Sequence, residues 1–217
     1  MRRTVIVGDL HGCLDELQRL LDHVGFSAGD RLVSVGDTVV RGPHPAETLD
    51  LLIALGARAV RGNHEDRLLR WRDSAQGKVP MTIGPMTRAT AKRLRNRHWR
   101  WLHELPLWLD LPEHGVRVLH AGLVPGVPID RQSPRTLLYV RCLGKQGQPI
   151  ESRDLLLWGE RYHGPPHVVF GHNAMEQPQI HKWATGIDTG AVYGNRLTAM
   201  VLRAGGGRRP ATARCPW

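Results

Sequence analysis

Short apolar runs punctuate this chain, and each is cut off by a glycine. Thr4-Val5-Ile6-Val7 stops at Gly8, Arg31 to Val35 stops at Gly36, and Ala57 to Val60 ends just before Gly62. Such β-rich runs, bounded by turn formers, predict strands over Arg3 to Val7, Arg31 to Val35 and Ala57 to Val60. Between them the spacing changes. Leu14, Leu17, Leu20, Leu21 and Val24 recur at helical intervals, which predicts a helix from Leu14 to Val24. Pro45 to Leu55 reads as a second helix, with Pro45 in its first turn, and Glu65 to Trp71 as the start of a third. The β-α-β-α-β rhythm places the chain in the α/β class, with a mainly parallel sheet under covering helices.

The pattern loosens in the middle. Trp71 to Pro106 holds Pro80, Gly84 and Pro85 and then a basic segment, Thr87 to His103, read as one helix. Arg88, Lys92, Arg93, Arg95, Arg97 and Arg100 ring it, either as a solvated face or as a positive rim around an anionic substrate. Leu107 to Leu111 and Gly115 to Leu119 read as strands joined by a tight turn. Gly122 to Gln148 reads as loop, Asp154 to Trp158 as a short helix and His167 to Phe170 as a strand. Ala184 to Ile187 and Arg196 to Leu202 read as a closing hairpin. The expected organisation is one domain over residues 1–203, with 71–106 a basic helical segment near its rim and 204–217 a flexible tail of Gly, Arg and Pro composition.

Composition narrows the classes. The 217 residues carry 41% hydrophobic and 23% charged residues, enough for one buried core. No apolar stretch reaches membrane-span length and no signal peptide is present, so a cytoplasmic protein without membrane association is expected. Cys13, Cys142 and Cys215 are odd in number and unpaired in spacing, which disfavours a disulfide framework or a thiolate zinc site. The formal net charge is +10, mostly from arginine, a good phosphate ligand. No nucleic-acid-binding module accompanies it, so nucleic acid is not the expected partner. A monomer or small homo-oligomer is expected.

The chemistry lies at the strand ends. Asp9 and His11 come after the first strand, Asp37 after the second, Asn63, His64 and Glu65 after the third, His120 after the Gly115–Leu119 strand and His172 after the His167–Phe170 strand. Any one of them alone is an ordinary turn residue or helix cap. The recurrence of a metal-ligand type after five separate strands is the signal, because the carboxyl ends of strands in open α/β sheets converge on one crevice. Asp, Asn and His without thiolate select borderline-to-hard divalent ions such as manganese, iron(II) or zinc. The ligands outnumber one tetrahedral site, and a shared carboxylate between two ions accounts for the surplus.

The segments GDLHG (Gly8–Gly12), GDTVVRGP (Gly36–Pro43), RGNHE (Arg61–Glu65), HAG (His120–Gly122) and FGH (Phe170–His172) resemble, in order, the motifs of the calcineurin-like metallophosphoesterase superfamily. IDTGAVYGNRLT (Ile187–Thr198) resembles its closing strands. The resemblance implies a four-layer α/β/β/α sandwich, two packed mixed sheets flanked by helices. It implies two divalent ions, manganese first and Fe2+, Zn2+, Co2+ or Ni2+ as substitutes. Asp9, His11 and Asp37 would hold the first ion. Asp37, Asn63, His120 and His172 would hold the second, with Asn63 also near substrate. His64 would serve as acid toward the leaving group, and Arg41 and Arg161 would bind phosphate oxygens.

The substrate is read from one departure. The Ser/Thr phosphatase branch carries aspartate where this chain has Val40, and that aspartate raises the pKa of the catalytic histidine. Valine cannot do so, which suits a leaving group that needs less help. The symmetrical diadenosine tetraphosphate hydrolases share an uncharged residue there, and HAGLVP (His120–Pro125) resembles them. Dinucleoside polyphosphates cut symmetrically to nucleoside diphosphates are therefore the first expectation. Phosphomonoester hydrolysis on phosphoproteins is the second, and a non-catalytic metal-binding protein the third.

Overall fold

The computed structural model of the chain describes residues 3–75, 81–153, 155–203 and 208–214. Its first half runs β1 (Thr4–Val7), α1 (Leu14–His23), β2 (Arg31–Ser34), α2 (Pro45–Ala54), β3 (Arg58–Ala59), α3 (Asn63–Ala75), α4 (Pro85–Arg93) and α5 (Asn96–His103). Its second half runs β4 (Trp108–Leu111), β5 (Val116–Leu119), α6 (Pro134–Tyr139), β6 (Cys142–Leu143), β7 (Pro149–Ile150), β8 (Leu156–Leu157), β9 (His167–Phe170), β10 (Gln179–Ile180), β11 (Ala184–Gly186), β12 (Arg196–Leu202) and β13 (Arg208–Arg214).

Two mixed five-stranded sheets form, in the orders β13-β12-β1-β2-β3 and β10-β11-β9-β5-β4, with a small third sheet β7-β6-β8. The period-two alternation of β1 shows how they pack. Val5 and Val7 lie with Leu17, Leu20, Leu49, Leu52 and Leu68 in a core under the helices. Ile6 faces the other way, into a cluster with Val33, Val118, Val169 and Ile187 between the two large sheets. Both faces of β1 are therefore buried, which explains its unbroken apolar run, each such side chain contributing about 1.5–3 kcal/mol. The outer face of the second sheet, with Leu119, Val168 and Phe170, packs on Leu137, Val140, Leu143 and Trp158. Helices thus cover one side of the sandwich, and α6 with the small sheet covers the other. Among the described residues no helix is long and apolar enough to cross a membrane.

Five expectations are corrected. The basic segment is two helices, broken where Leu94 and Arg95 are extended. The Arg95 amide donates to Nδ1 of buried His98 at 3.1 Å, and His98 Nε2 and Arg97 both reach Asp50 at 2.5 Å. That cluster on α2 fixes the break, and Arg93 is likewise tied to Glu47 at 3.0 Å. Part of the charge expected at a rim is thus paired with the acids of α2. The stretch read as loop contains α6, started by Ser133, whose Oγ accepts from the Thr136 amide at 3.0 Å. Leu156–Leu157, expected as helix, pairs instead with Cys142–Leu143, and Asp154 lies outside the described residues. The closing segments are no hairpin: β11 belongs to the second sheet and β12 to the first. Within the expected tail, Arg208–Arg214 pairs antiparallel with β12.

Candidate functional site

The carboxyl ends of β1, β2, β5 and β9 and the N-terminus of α3 meet at one edge of the sandwich. A cavity of about 200 Å³ opens there, lined by Asp9, His11, Asp37, Asn63, His64 and His172, together with Arg41, Arg141, Arg153, Asp188 and Tyr193. His120 lies fully buried beside it.

Asp37 is the centre. Its Oδ2 lies 3.7 Å from His11 Nε2, 4.0 Å from His64 Nε2 and 3.5 Å from His120 Nε2. Its Oδ1 accepts from the His64 amide at the start of α3, at 3.0 Å, where the helix dipole favours a negative charge. Ligand-type atoms of His11, Asp37 and His64 lie within 4.8 Å of one another, and so do those of Asp37, His120 and His172. Asp9 is buried next to them, both its oxygens taking the His172 amide at 3.1 and 3.2 Å.

The ring orientations are set from behind. His11 Nδ1 donates to the Val39 carbonyl at 3.2 Å and His120 Nδ1 to the Val35 carbonyl at 2.9 Å. Each ring then turns its Nε2 toward Asp37, the orientation of a metal-ligating histidine with an outer partner. His120 Nε2 also lies 3.0 Å from Asn63 Oδ1, which meets His172 Nδ1 at 3.0 Å on its other side. The Asn63 oxygen thus lies between two imidazole nitrogens, all three of them ligand-type atoms. His172 Nε2 is buried and without a partner. A positive ion satisfies this donor set, including the His172 nitrogen that no hydrogen bond reaches.

Electrostatics agrees. Burial pushes the Asp9 carboxyl well above the usual range, with Asp188 and Asp37 adding to it. Burial likewise raises Asp188, and it raises Glu65, with Asp37 next in effect. Burial also acts to raise Asp37, but the facing His120, His64 and His11 rings outweigh it and hold the group below the ordinary range. Burial lowers His11 and His172, which favours the neutral imidazole that binds metal, and it lowers His64, which Asp37 opposes. Four buried carboxylates this close are costly unless cations compensate them.

The backbone is strained here. Among the described residues, the non-glycine ones with positive φ are His11 at 47°, Asp37 at 49°, Val40 at 68°, Arg41 at 73° and His172 at 65°. Asp and His tolerate this region, but a β-branched valine pays roughly 1–3 kcal/mol. Glu65 restrains the loop. Its Oε1 accepts from the Thr38 amide and hydroxyl and the Val39 amide, and its Oε2 from the amides of Asp37 and Gly62.

Four of these residues escape the sequence reading. Asp188 was legible, since it stands in the IDTGAV segment as an acid after a strand. Arg141 and Arg153 carry no local signal, because they come from a segment read as loop and from the irregular stretch after it. Tyr193 reaches the cavity because the chain changes sheets between β11 and β12. Arg161, expected to bind phosphate, is exposed at the end of a 3₁₀ turn and is not among the residues lining the cavity. Trp158, buried at the head of that turn, fixes this with an indole N–H donated to the Ala121 carbonyl at 3.1 Å.

The fit is tight enough to test at a glycine. A Cβ on Gly171 would lie 2.0 Å from Asp9 Oδ1 and 2.6 Å from Val35 Cγ2. Gly171→Ala is expected to displace Asp9 and lower metal affinity about 10–100-fold, the usual size for a disturbed ligand support. Titration of manganese into the metal-free variant checks this, and wild-type affinity would mean that Asp9 is not a ligand.

Comparison with known proteins gives the same direction. A bis(5'-nucleosyl)-tetraphosphatase (asymmetrical) of Oceanobacillus iheyensis is 32% identical, over 89% of this chain and 86% of its own length. A crystal structure of a candidate diadenosine tetraphosphatase is 35% identical, with a TM-score of 0.85 over 98% of this chain and 94% of the other. A Ser/Thr phosphatase of Saccharomyces cerevisiae, 17% identical, shares the fold with a TM-score of 0.64 over 98% of this chain and 80% of the other. Residues 2–203 match the calcineurin-like phosphoesterase family, and with the strand-end ligands gathered at one cavity, the chain belongs to that family.

Proposed function

We propose that the chain is a two-metal hydrolase of dinucleoside tetraphosphates. The observation that carries the reading is the number of arginines in the cavity whose hydrogen bonds go to neutral groups. Arg41 meets the Tyr193 hydroxyl, Arg141 the Glu151 carbonyl at 2.6 Å and Arg153 the Ala174 carbonyl at 3.2 Å. Three such guanidinium groups around one cavity exceed the needs of a single phosphoryl group and suit a chain of phosphates. The names of relatives about 30% identical, among them a tetraphosphatase of a Geobacillus strain, support the same substrate class.

Two divalent cations, manganese first among the candidates, would be held by Asp9, His11 and Asp37 and by Asp37, Asn63, His120 and His172, and would supply charge neutralisation and an acidified water. Arg41, Arg141 and Arg153 grip and orient the phosphate oxygens. His64 gives a proton to the departing oxygen. Its Nδ1 is buried without a partner, so nothing raises its basicity from behind. That suits a nucleotide leaving group better than an alkoxide.

The sequence favours the symmetrical cut and the relatives' names the asymmetrical one. We take the asymmetrical cut, which releases a nucleoside monophosphate and a triphosphate. Chromatography of the products formed from diadenosine tetraphosphate with manganese decides: AMP and ATP support it, ADP alone restores the symmetrical reading, and turnover of only p-nitrophenyl phosphate or phosphopeptides ends both. His64→Gln is expected to lower kcat on the tetraphosphate by about 10²–10⁴-fold. The loss should be larger still on phenyl phosphate, whose leaving oxygen is more basic than a nucleotide phosphate and depends more on a proton. Equal losses would remove His64 from the acid role.

A further inference from the structure

A second cavity, of about 360 Å³, adjoins the first and shares Arg41 and Tyr193 with it. Its other walls are Cys13 and Glu16 at the start of α1, Gly42 and Pro43 after the strained loop, and Val192 and Gly194 beside Tyr193. Tyr193 is 63% exposed, although it is a large aromatic next to a buried site. The Arg41 guanidinium lies 5.4 Å from the centre of its ring and bonds its hydroxyl.

We infer that this second cavity binds the nucleoside of the substrate, its purine stacked on Tyr193, while Arg41 at the shared wall holds the first phosphate. The inference rests on the proposed function and adds to it a place for the base. The smaller cavity, at about 200 Å³, suits phosphate groups, whereas the adjoining one falls in the size range of small-molecule pockets. Its character differs as well, since Pro43 and Val192 offer apolar surface beside the tyrosine ring, whereas the catalytic cavity is lined mainly by charged and polar side chains. A base needs a flat π-surface more than specific hydrogen bonds, and an exposed tyrosine supplies it without unfolding anything. The shared wall sets the order of the substrate. A phosphate on Arg41 leaves the attached ribose and base on the Tyr193 side and the remaining phosphates on the side of Asp37, Arg141 and Arg153.

The test compares adenosine 5'-monophosphate with ribose 5-phosphate, which differ only in the base, by calorimetric titration into the manganese-loaded protein. Wild type is expected to bind the nucleotide about tenfold more tightly or better, the size of one base-on-aromatic stack. Tyr193→Ala should bring that ratio close to one, and Tyr193→Phe, which keeps the ring and loses the hydroxyl, should preserve it. A ratio near one in wild type overturns the inference, as does a ratio that survives in Tyr193→Ala. If Tyr193→Phe loses the ratio as fully as the alanine variant, the residue acts by anchoring Arg41 and the stacking assignment fails. The proposed function is judged separately, by turnover of diadenosine tetraphosphate in wild type. Base preference without that turnover leaves a nucleotide site on a different phosphoesterase, and turnover without base preference removes only the subsite.

Discussion

Asp37→Asn is expected to lower turnover about a thousandfold or more while leaving the fold intact. Asparagine keeps an oxygen that can accept from the His64 amide at the Oδ1 position, now 3.0 Å away, so the local turn survives. What it loses is the charge on Oδ2, the atom that lies 3.5–4.0 Å from Nε2 of His11, His64 and His120. Asp37 is the one residue common to both metal-ligand groups found among the described residues. A neutral, half-donating amide there weakens both positions together. Elemental analysis should fall from two metal ions per chain to one or fewer, and the rise in melting temperature on adding manganese should disappear. The metal-free variant should melt close to the metal-free wild type, because the attraction lost toward the histidines is offset by relief of repulsion with Asp9, Glu65 and Asp188. Wild-type metal content in this variant would mean that the two positions do not share a ligand.

How far the sequence reached depends on the kind of signal. The strands of the first sheet announce themselves, since Val5, Ile6 and Val7 bury both faces and must be apolar without interruption. The residues at strand ends were legible for a related reason: Asp9, Asp37 and His172 each stand where an apolar run stops. The second half reads less well because many of its elements are two or three residues long. Leu156–Leu157 holds its place through pairing with Cys142–Leu143, and Ser133-Pro134 starts a six-residue helix too short for periodicity to show. Nor could periodicity locate the break between α4 and α5. It comes from Asp50, 48 residues before His98 in the chain, which gathers His98 and Arg97. Arg141 and Arg153 were out of reach because a guanidinium on a long irregular segment gains its meaning only from where the segment ends up. Arg161 is the converse case: a motif-level alignment put it near phosphate, and it stands exposed and is not among the residues that line the cavity.

The second large effect is expected at a residue that touches no ligand. Glu65→Ala should destabilise the protein by about 3–5 kcal/mol and remove most activity. Two terms oppose each other at this carboxylate. Burial and the nearby Asp37 charge raise its pKa, so deleting it relieves some repulsion. Against that, its two oxygens accept from the amides of Asp37, Thr38, Val39 and Gly62 and from the Thr38 hydroxyl, at 2.7–3.3 Å. The residue is wholly buried, so these donors would be left dry, each unmet one costing about 1–3 kcal/mol. Several donors outweigh one relieved repulsion, and water can satisfy only part of them in the space a glutamate leaves. At about 2–4 °C per kcal/mol for a chain of this size, the melting temperature should fall by roughly 10 °C. The strain just beyond, at Val40 and Arg41 with φ of 68° and 73°, persists only while the surrounding loop is held, so Arg41 should lose its position as well. Glu65→Gln separates shape from charge. It keeps the volume but turns an N–H₂ toward amide donors, so it should be destabilised nearly as much. If Glu65→Ala melted like wild type, the loop carrying Asp37 would have to be held by its own backbone, and the buried carboxylate would need another explanation.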